Sequence, residues 1–275
     1  MIDWKSRLRE GMRGIAVEGK DDKLVLEAFL RSGENAGLWQ NWQTKLIIVV
    51  AAGFQNVLAE LSADQKQFDI WAVLDREWRP DTEIQEMQSR YPNLRFLPRR
   101  MIENYAIDPN ELWRLLSAFQ QNKLDQAVFR KHIESNVEAW ITHGALLYTI
   151  YGPSLSFLQQ MNHSLYELIG SRLPPVNDKE IVEFLERWHQ QSDPEPILAN
   201  YTQARSGFNA MSQPDKYRLC IEGKMFFTQV ICPILNNKLG QKNSDKWLET
   251  LFKPTEGFSA PCPDDLKDLL VELVG

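Results

Sequence analysis

The stretch Arg13-Gly14-Ile15-Ala16-Val17-Glu18-Gly19-Lys20-Asp21-Asp22-Lys23-Leu24-Val25-Leu26-Glu27-Ala28-Phe29-Leu30-Arg31-Ser32 changes its hydrophobic period once, and that change decides the fold. Arg13 to Glu18 is a short apolar run ending at Gly19, as a buried strand does. Asp21 to Ser32 then places Leu24, Val25, Ala28 and Phe29 at helical spacing. A strand that feeds a helix across one glycine opens a βαβ unit.

The pattern continues outward. Lys45 to Ala52 is continuously apolar and rich in Ile and Val, which predicts a parallel strand covered on both faces. Gly53 ends it, and Phe54 to Leu61 reads as a helix. Asp69 to Leu74 is a third strand, Asp81 to Arg90 a polar helix stopped by Tyr91-Pro92-Asn93, and Leu94 to Leu97 a fourth strand. Strands separated in this way imply right-handed crossovers and a mostly parallel sheet. From Pro109 strand-like runs disappear. Helical patterns cover Pro109 to Gln120, Leu124 to Ile150, Leu155 to Ile169, Asp178 to Gln191 and Asp245 to Phe252. Pro174-Pro175, Asp193-Pro194 and Pro261-Cys262-Pro263 punctuate them. Trp113, Trp140, Trp188 and Trp247 ride these patterns as core anchors. The expectation is a small parallel-sheet α/β domain over residues 1–108. A helical domain over 109–275 would serve partner docking, substrate contacts or dimerisation.

Composition excludes several classes. With 43% hydrophobic and 25% charged residues, the chain of 275 is globular rather than disordered. Its longest apolar stretch, Leu46 to Ala52, falls far short of the ~20 residues of a membrane helix. Met1-Ile2-Asp3-Trp4-Lys5 has no apolar core of a secretory signal. Cys220, Cys232 and Cys262 form no Cys-x-x-Cys pair, so a reducing cytoplasm is expected, without a disulfide framework or cysteine zinc site. His132, His143, His163 and His189 are scattered and build no His-Glu-x-x-His site. The net charge of −6 means that nucleic acid could be held only through a local basic patch, a bound cation or a partner.

Strand ends carry acids. Glu18 closes the first strand and Asp75 the third, with Glu77 two residues later. In an extended segment residues i and i+2 share a side, so Asp75 and Glu77 are expected to converge. Sites in open parallel sheets form beyond the carboxyl ends of the strands. Three carboxylates there repel one another, and Mg²⁺ or Mn²⁺ would remove that cost through oxygen ligation. The alternative is that these acids only cap and form turns. Asp22, four residues after Glu18, fits either a further ligand or, with Asp21, a helix N-terminal charge complementing the dipole.

Ile15-Ala16-Val17-Glu18-Gly19-Lys20-Asp21-Asp22-Lys23-Leu24, then Gly53, then Ala72-Val73-Leu74-Asp75-Arg76-Glu77, resemble the toprim domain. That domain is shared by topoisomerases, bacterial primases, small ribonucleases and OLD-type nucleases. Its pattern is Glu-Gly after the first strand and Asp-x-Asp after the third; Glu77 stands here for the second Asp. The extra methylene shifts the ion and bears on metal preference. Leu97-Pro98-Arg99-Arg100-Met101-Ile102-Glu103-Asn104-Tyr105-Ala106-Ile107 is similar to the Arg-x-Ile-Glu-Asn-Tyr segment of the OLD-like branch. It is also similar to the stand-alone toprim effectors of PARIS anti-phage systems, the AriB family. The resemblance covers residues 12–108 by motif and the helical remainder by layout.

The resemblance implies a Mg²⁺- or Mn²⁺-dependent endonuclease acting on RNA such as tRNA, or on DNA. It further implies a cytoplasmic defence toxin held inactive by an ABC-type ATPase and active as a possible homodimer. Glu18 would be the general acid/base or first metal-site carboxylate, Asp75 and Glu77 would hold the ion, and Asp22 would join them. Glu103 would be a second-site ligand, or else a buried acid pairing with Arg99 or Arg100. Arg76, Arg79, Arg99 and Arg100 would form the phosphate patch, or a solvated face. Ile221-Glu222-Gly223-Lys224 echoes Val17-Glu18-Gly19-Lys20; Lys224 either reaches the site as a transition-state cation or lies on the surface. A topoisomerase would need a nucleophilic tyrosine and gate domains, and a primase a zinc module. The rival readings are a toprim-shaped scaffold that binds an ATPase or nucleic acid without cutting, and a phosphatase or nucleotidyl transferase on small nucleotides.

Overall fold

Strand β1 (Arg13–Val17) lies at the centre of the molecule, paired in parallel with β2 (Leu46–Val50) on one side and β3 (Asp69–Leu74) on the other. β4 (Leu94–Phe96) joins β3, giving a four-stranded parallel sheet of order β2-β1-β3-β4. The computed structural model describes Leu8 and residues 10–63, 68–151, 193–253 and 260–275. The expected helices 155–169 and 178–191, with Trp188, His163 and His189, lie outside these residues, as does Met1 to Lys5.

Helices α1 (Lys20–Asn35), the short α2 (Trp42–Lys45), α3 (Phe54–Ala63) and α4 (Asp81–Arg90) connect the strands. Side chains alternate across a strand with period two. Ile15, Val17, Ile48 and Val73 face α1, where Val25, Leu26, Phe29 and Leu30 meet them. Ala16, Ile70, Ala72, Leu74 and Leu94 face Val57 and Leu61 of α3 on the opposite side. Both faces are apolar, which is why β1 and β2 read as unbroken hydrophobic runs. The chain passes outward from β1 to β2, then crosses back to β3. The order therefore reverses between β1 and β3, and a crevice opens at their carboxyl ends.

A 3₁₀ turn (Ile102–Ala106) leads into the helical part. Helix α5 (Pro109–Leu115) starts at Asp108, whose Oδ1 accepts from the N–H groups of Asn110 (2.8 Å) and Glu111 (3.1 Å). The helix expected over 109–120 breaks at Ser117. There the side chain of Gln120 accepts from Ser117 N–H (2.8 Å) and starts α6 (Ala118–Gln121). The long helix expected over 124–150 divides at residues 135–136 into α7 (Gln126–Glu134) and α8 (137–151).

Helix α9 (Pro194–Ala210) is not among the expected helices, because Asp193-Pro194 reads as punctuation. Proline is tolerated in a first turn, and Asp193 caps this one by accepting from Glu195 N–H at 3.0 Å. Gln213–Asp215 runs on as a π turn, Lys216–Cys220. Next comes α10, made of Gly223–Phe226, a π turn over Phe227–Ile231, and Cys232–Leu239. The widened turn immediately precedes Pro233, whose ring would strike the carbonyl four residues back in a regular helix. Helices α11 (Ser244–Phe252) and α12 (Asp264–Val274) complete the described chain, and Trp247 is fully buried at its core.

One hydrophobic core runs from α1 through α5, α7, α10, α11 and α12, so the expected border at 108/109 is no gap in packing. The last helix returns to the sheet. Arg13 donates to the carbonyls of Glu272 (2.7 Å) and Leu273 (2.8 Å), and Arg95 grips the Glu272 carboxylate (2.9 Å). Among the described residues no helix is long and apolar enough to cross a membrane.

Candidate metal centre

The register that pairs Val17 with Val73 brings Glu18 level with Leu74, one residue short of Asp75. Two neighbouring strands thus end in carboxylates at the point where the sheet order reverses. The chain turns into α1 at Gly19, whose N–H donates to Asp22 Oδ2 at 2.7 Å and draws Asp22 back over the end of β1. The loop after β2 closes from the other side, with Gly53 N–H donating to the Glu18 carbonyl at 3.2 Å. Its path needs left-handed backbone at Ala52 (φ 59°) and at Gly53 (φ 116°), a conformation that glycine adopts freely. Asp75 Oδ1 accepts from Ile102 N–H at 3.0 Å, which ties the third-strand acid to the turn carrying Glu103.

Glu77 reaches this place by a different route from the one expected. β3 ends at Leu74, and a turn begins at Glu77, whose φ of 47° is left-handed, so the strand does not extend through Asp75-Arg76-Glu77. The i, i+2 argument does not apply to it. The turn is held by Glu77 N–H donating to the Arg100 carbonyl (2.8 Å), and the Glu77 carboxylate pairs with Arg79 at 2.8 Å. A left-handed glutamate is an uncommon backbone state that the surrounding contacts must hold in place.

The acids act on one another through space. Burial pushes the Glu18 carboxyl up to about 7, with the charges of Glu77 and Asp22 adding to the rise. Burial likewise raises Asp22 to about 6 and Glu103 to about 7. Asp75 is raised well above the ordinary carboxylate range, by burial first and then by Asp22, Glu103, Glu18 and Glu77. Glu18, Asp22, Asp75 and Glu103 are thus all raised, by burial first and by the charges of neighbouring acids second.

Their chemistry, oxygen donors only, fits a hard divalent cation. Among the described residues, however, no three His, Cys, Asp or Glu side chains are set at ion-holding geometry. The Asp22 alternative is also realised in part, since its Oδ2 satisfies the Gly19 N–H at the start of α1.

The basic residues divide into distinct roles. Arg99 is fully buried, and its five N–H bonds are engaged. Nε and Nη2 donate to Asp265 (2.7 and 2.9 Å), Nη2 and Nη1 to Glu111, and Nη1 also to the Asn104 carbonyl (3.0 Å). Placed so, it offers no donor to a phosphate and instead fastens α5 and α12 to the sheet. Arg100 lies over Trp78 and donates to the Leu219 carbonyl (2.7 Å) and the Glu77 carbonyl (2.5 Å). Neither arginine pairs with Glu103, which is 6% exposed. Arg79 is 8% exposed, held by Glu77 and Glu83 over the Phe54 ring. Arg76 pairs with Asp81 on the surface side. Its charge acts on Arg100, which burial first and then Arg76 bring down to about 10. Lys224 is exposed, and its positive charge opposes the rise of Asp21, Asp22 and Glu103.

Sequence reasoning missed Asn104 as a structural element of the site. The fully buried Asn104 side chain accepts from Met101 N–H (3.0 Å) and donates to the carbonyls of Tyr217 (2.7 Å) and Ile221 (3.1 Å). Its only sequence signal is membership in Ile102-Glu103-Asn104-Tyr105, since the two carbonyls it donates to lie more than a hundred residues away. Comparison of the chain with family models, curated proteins and solved structures gives no match.

Proposed function

We propose that the chain is a metal-dependent endonuclease that hydrolyses phosphodiester bonds of RNA, tRNA included, or of DNA. The observation that carries this reading is the meeting of Glu18 and Asp75 at the reversal of the sheet, with Asp22, Glu77 and Glu103 in the same field. Glu18, Asp22, Asp75, Glu77 and Glu103 would hold Mg²⁺ or Mn²⁺. A bound ion there supplies charge neutralisation and an activated water. Glu18, with a carboxyl near neutrality, suits a proton acceptor on the attacking water at working pH. Lys224, whose charge is felt by Asp22 and Glu103, would meet charge developing on the phosphate. Arg76 and Arg100 would orient the phosphate chain, Arg76 after exchanging Asp81 for it.

The order of the three motifs supports a further step, that this is the toxic effector of a cytoplasmic anti-phage abortive-infection system, silent beside an ABC-type ATPase. The test is cleavage of total tRNA, single-stranded DNA and supercoiled plasmid with Mg²⁺, Mn²⁺ or EDTA, alongside Glu18→Ala. Metal-dependent cutting that Glu18→Ala abolishes supports the enzyme. Cutting that persists in EDTA or in the variant refutes it.

A second reading has its own observations. No three acids stand at ion-holding geometry among the described residues, and Arg99 is closed to ligands. These favour a scaffold of the same shape that binds a partner or nucleic acid without cutting. Absence of any calorimetric Mn²⁺ binding would favour it over the nuclease.

A further inference from the structure

The turn that carries Glu103 and the helix start that carries Lys224 touch through the residues beside them. Asn104 follows Glu103, and Gly223 precedes Lys224. A Cβ on Gly223 would overlap the Asn104 side-chain oxygen and press on its backbone nitrogen, so the two backbones meet with no room for a side chain. The Asn104 amide donates to the carbonyls of Tyr217 and Ile221, the segment leading into α10. The opposite side of that segment is equally tight, because a Cβ on Gly144 of α8 would overlap the Cys220 carbonyl. The approach to Lys224 is thus clamped between the Glu103 turn and α8.

We infer that Asn104 is a positioning residue: its amide and the glycine contact beneath it fix where the Lys224 backbone stands beside the Glu103 turn, and so the range its ammonium can reach. The inference rests on the proposed nuclease reading for its catalytic consequence, but the placement itself is independent of that reading. An asparagine suits the task because one flat group offers an acceptor to its own turn and two donors to a distant segment. Buried and fully bonded, it has a single low-energy pose, and leaving its partners unsatisfied is costly. A lysine on a four-carbon stem has wide reach. What restricts it is the position of its backbone, which is the quantity Asn104 controls.

The test has two arms. Carbodiimide coupling, read by mass spectrometry, joins the Lys224 amine to nearby carboxylates; Lys246 to Glu249, 2.8 Å apart on α11, is the internal reference. Coupling of Lys224 to Glu103 or Asp22 should fall at least fivefold in Asn104→Ala, in Asn104→Asp (which keeps the shape and loses the donors) and in Gly223→Ala, while the reference pair is unchanged. Gly223→Ala displaces the helix start from the opposite side, so the arm remains informative if an Asn104 variant fails to fold.

In the cleavage arm, Asn104→Ala should lower kcat by about a hundredfold with KM little changed, as a displacement on the order of 1 Å can do. Lys224→Ala should match it, and the double variant should be no worse than either. Unchanged coupling in folded Asn104 and Gly223 variants overturns the inference, as does a double variant whose losses multiply. A wild-type protein that cuts nothing, yet whose coupling responds as stated, upholds the placement and removes the nuclease reading alone.

Discussion

The backbone N–H of Ile102 donates to Asp75 Oδ1 at 3.0 Å, joining two segments that lie 27 residues apart. Through this bond the acid at the end of β3 and the turn bearing Glu103 form one rigid piece. Both lie against the start of α1, where Asp22 is the strongest charged neighbour of Asp75. Acid spacing along the chain therefore matters less than the turn that brings the third segment under the second.

Glu18→Gln should abolish metal-dependent cleavage and yet stabilise the metal-free protein. The substitution removes a charge that is penalised by burial and by Glu77 and Asp22 and that itself raises Asp75, and it keeps the side-chain shape. At pH 8 in EDTA the Tm should rise by about 2–4 °C. A lower Tm would mean that Glu18 has a stabilising partner instead of repelling neighbours.

Metal-free stability should fall as pH rises from about 4.5 to above 7. Glu18 and Glu103 are raised from 4.5 to about 7 and Asp22 from 3.8 to about 6, so the folded state keeps protons that the unfolded chain has released. Their contribution is fully present below the unfolded values and is lost as pH passes the folded ones. Added Mg²⁺ or Mn²⁺ should restore Tm at pH 8 and change little at pH 5; at a hundred times its Kd a bound ion contributes about 2.7 kcal/mol. Thermal scans with and without EDTA at both pH values decide this.

Arg99→Met should destabilise the protein by about 3 kcal/mol, because Glu111 and Asp265 would be left partly buried with only the longer contacts of Arg218, at 3.7 and 3.9 Å. Urea unfolding gives the magnitude. Amide exchange should show the loss first in α12, which Arg99 fastens through Asp265. Arg99→Lys should cost nearly as much, since an ammonium has three donors in place of five.

Arg76 and Asp81 should respond in opposite directions. Arg76→Ala should reduce the slope of log affinity against log salt for nucleic acid by about 1, the share of one phosphate contact. Asp81→Asn releases the Arg76 guanidinium and should tighten binding. Anisotropy across a KCl series in the Glu18→Ala background measures both without cleavage.

The α/β half was legible because its signals are local. β3 and α4 span Asp69–Leu74 and Asp81–Arg90, the limits their apolar and polar periods mark. The helical half was harder to read. Pro194 begins α9 instead of ending one, and α10 passes Pro233 by a widened turn, since a proline's effect depends on which helical position it occupies. Glu18 and Asp75 were found from strand ends alone. Glu77 is singled out both by the Asp-x-Asp resemblance and by a premise about extended backbone, and its left-handed φ does not share that premise.

The sequence by itself determined the parallel sheet, its apolar faces and the acids at its strand ends, because period and chain direction follow from neighbours in the chain. Only the tertiary structure decided which charges meet. Arg99 and Arg100 are adjacent in sequence, yet Arg99 is closed around Glu111 and Asp265 while Arg100 lies on Trp78 beside the Glu77 turn. The backbone before Lys224 is brought against the turn that carries Glu103 by Asn104 and Gly223, across more than a hundred residues. Charges act through space, and the distance between them is set by packing rather than by position along the chain.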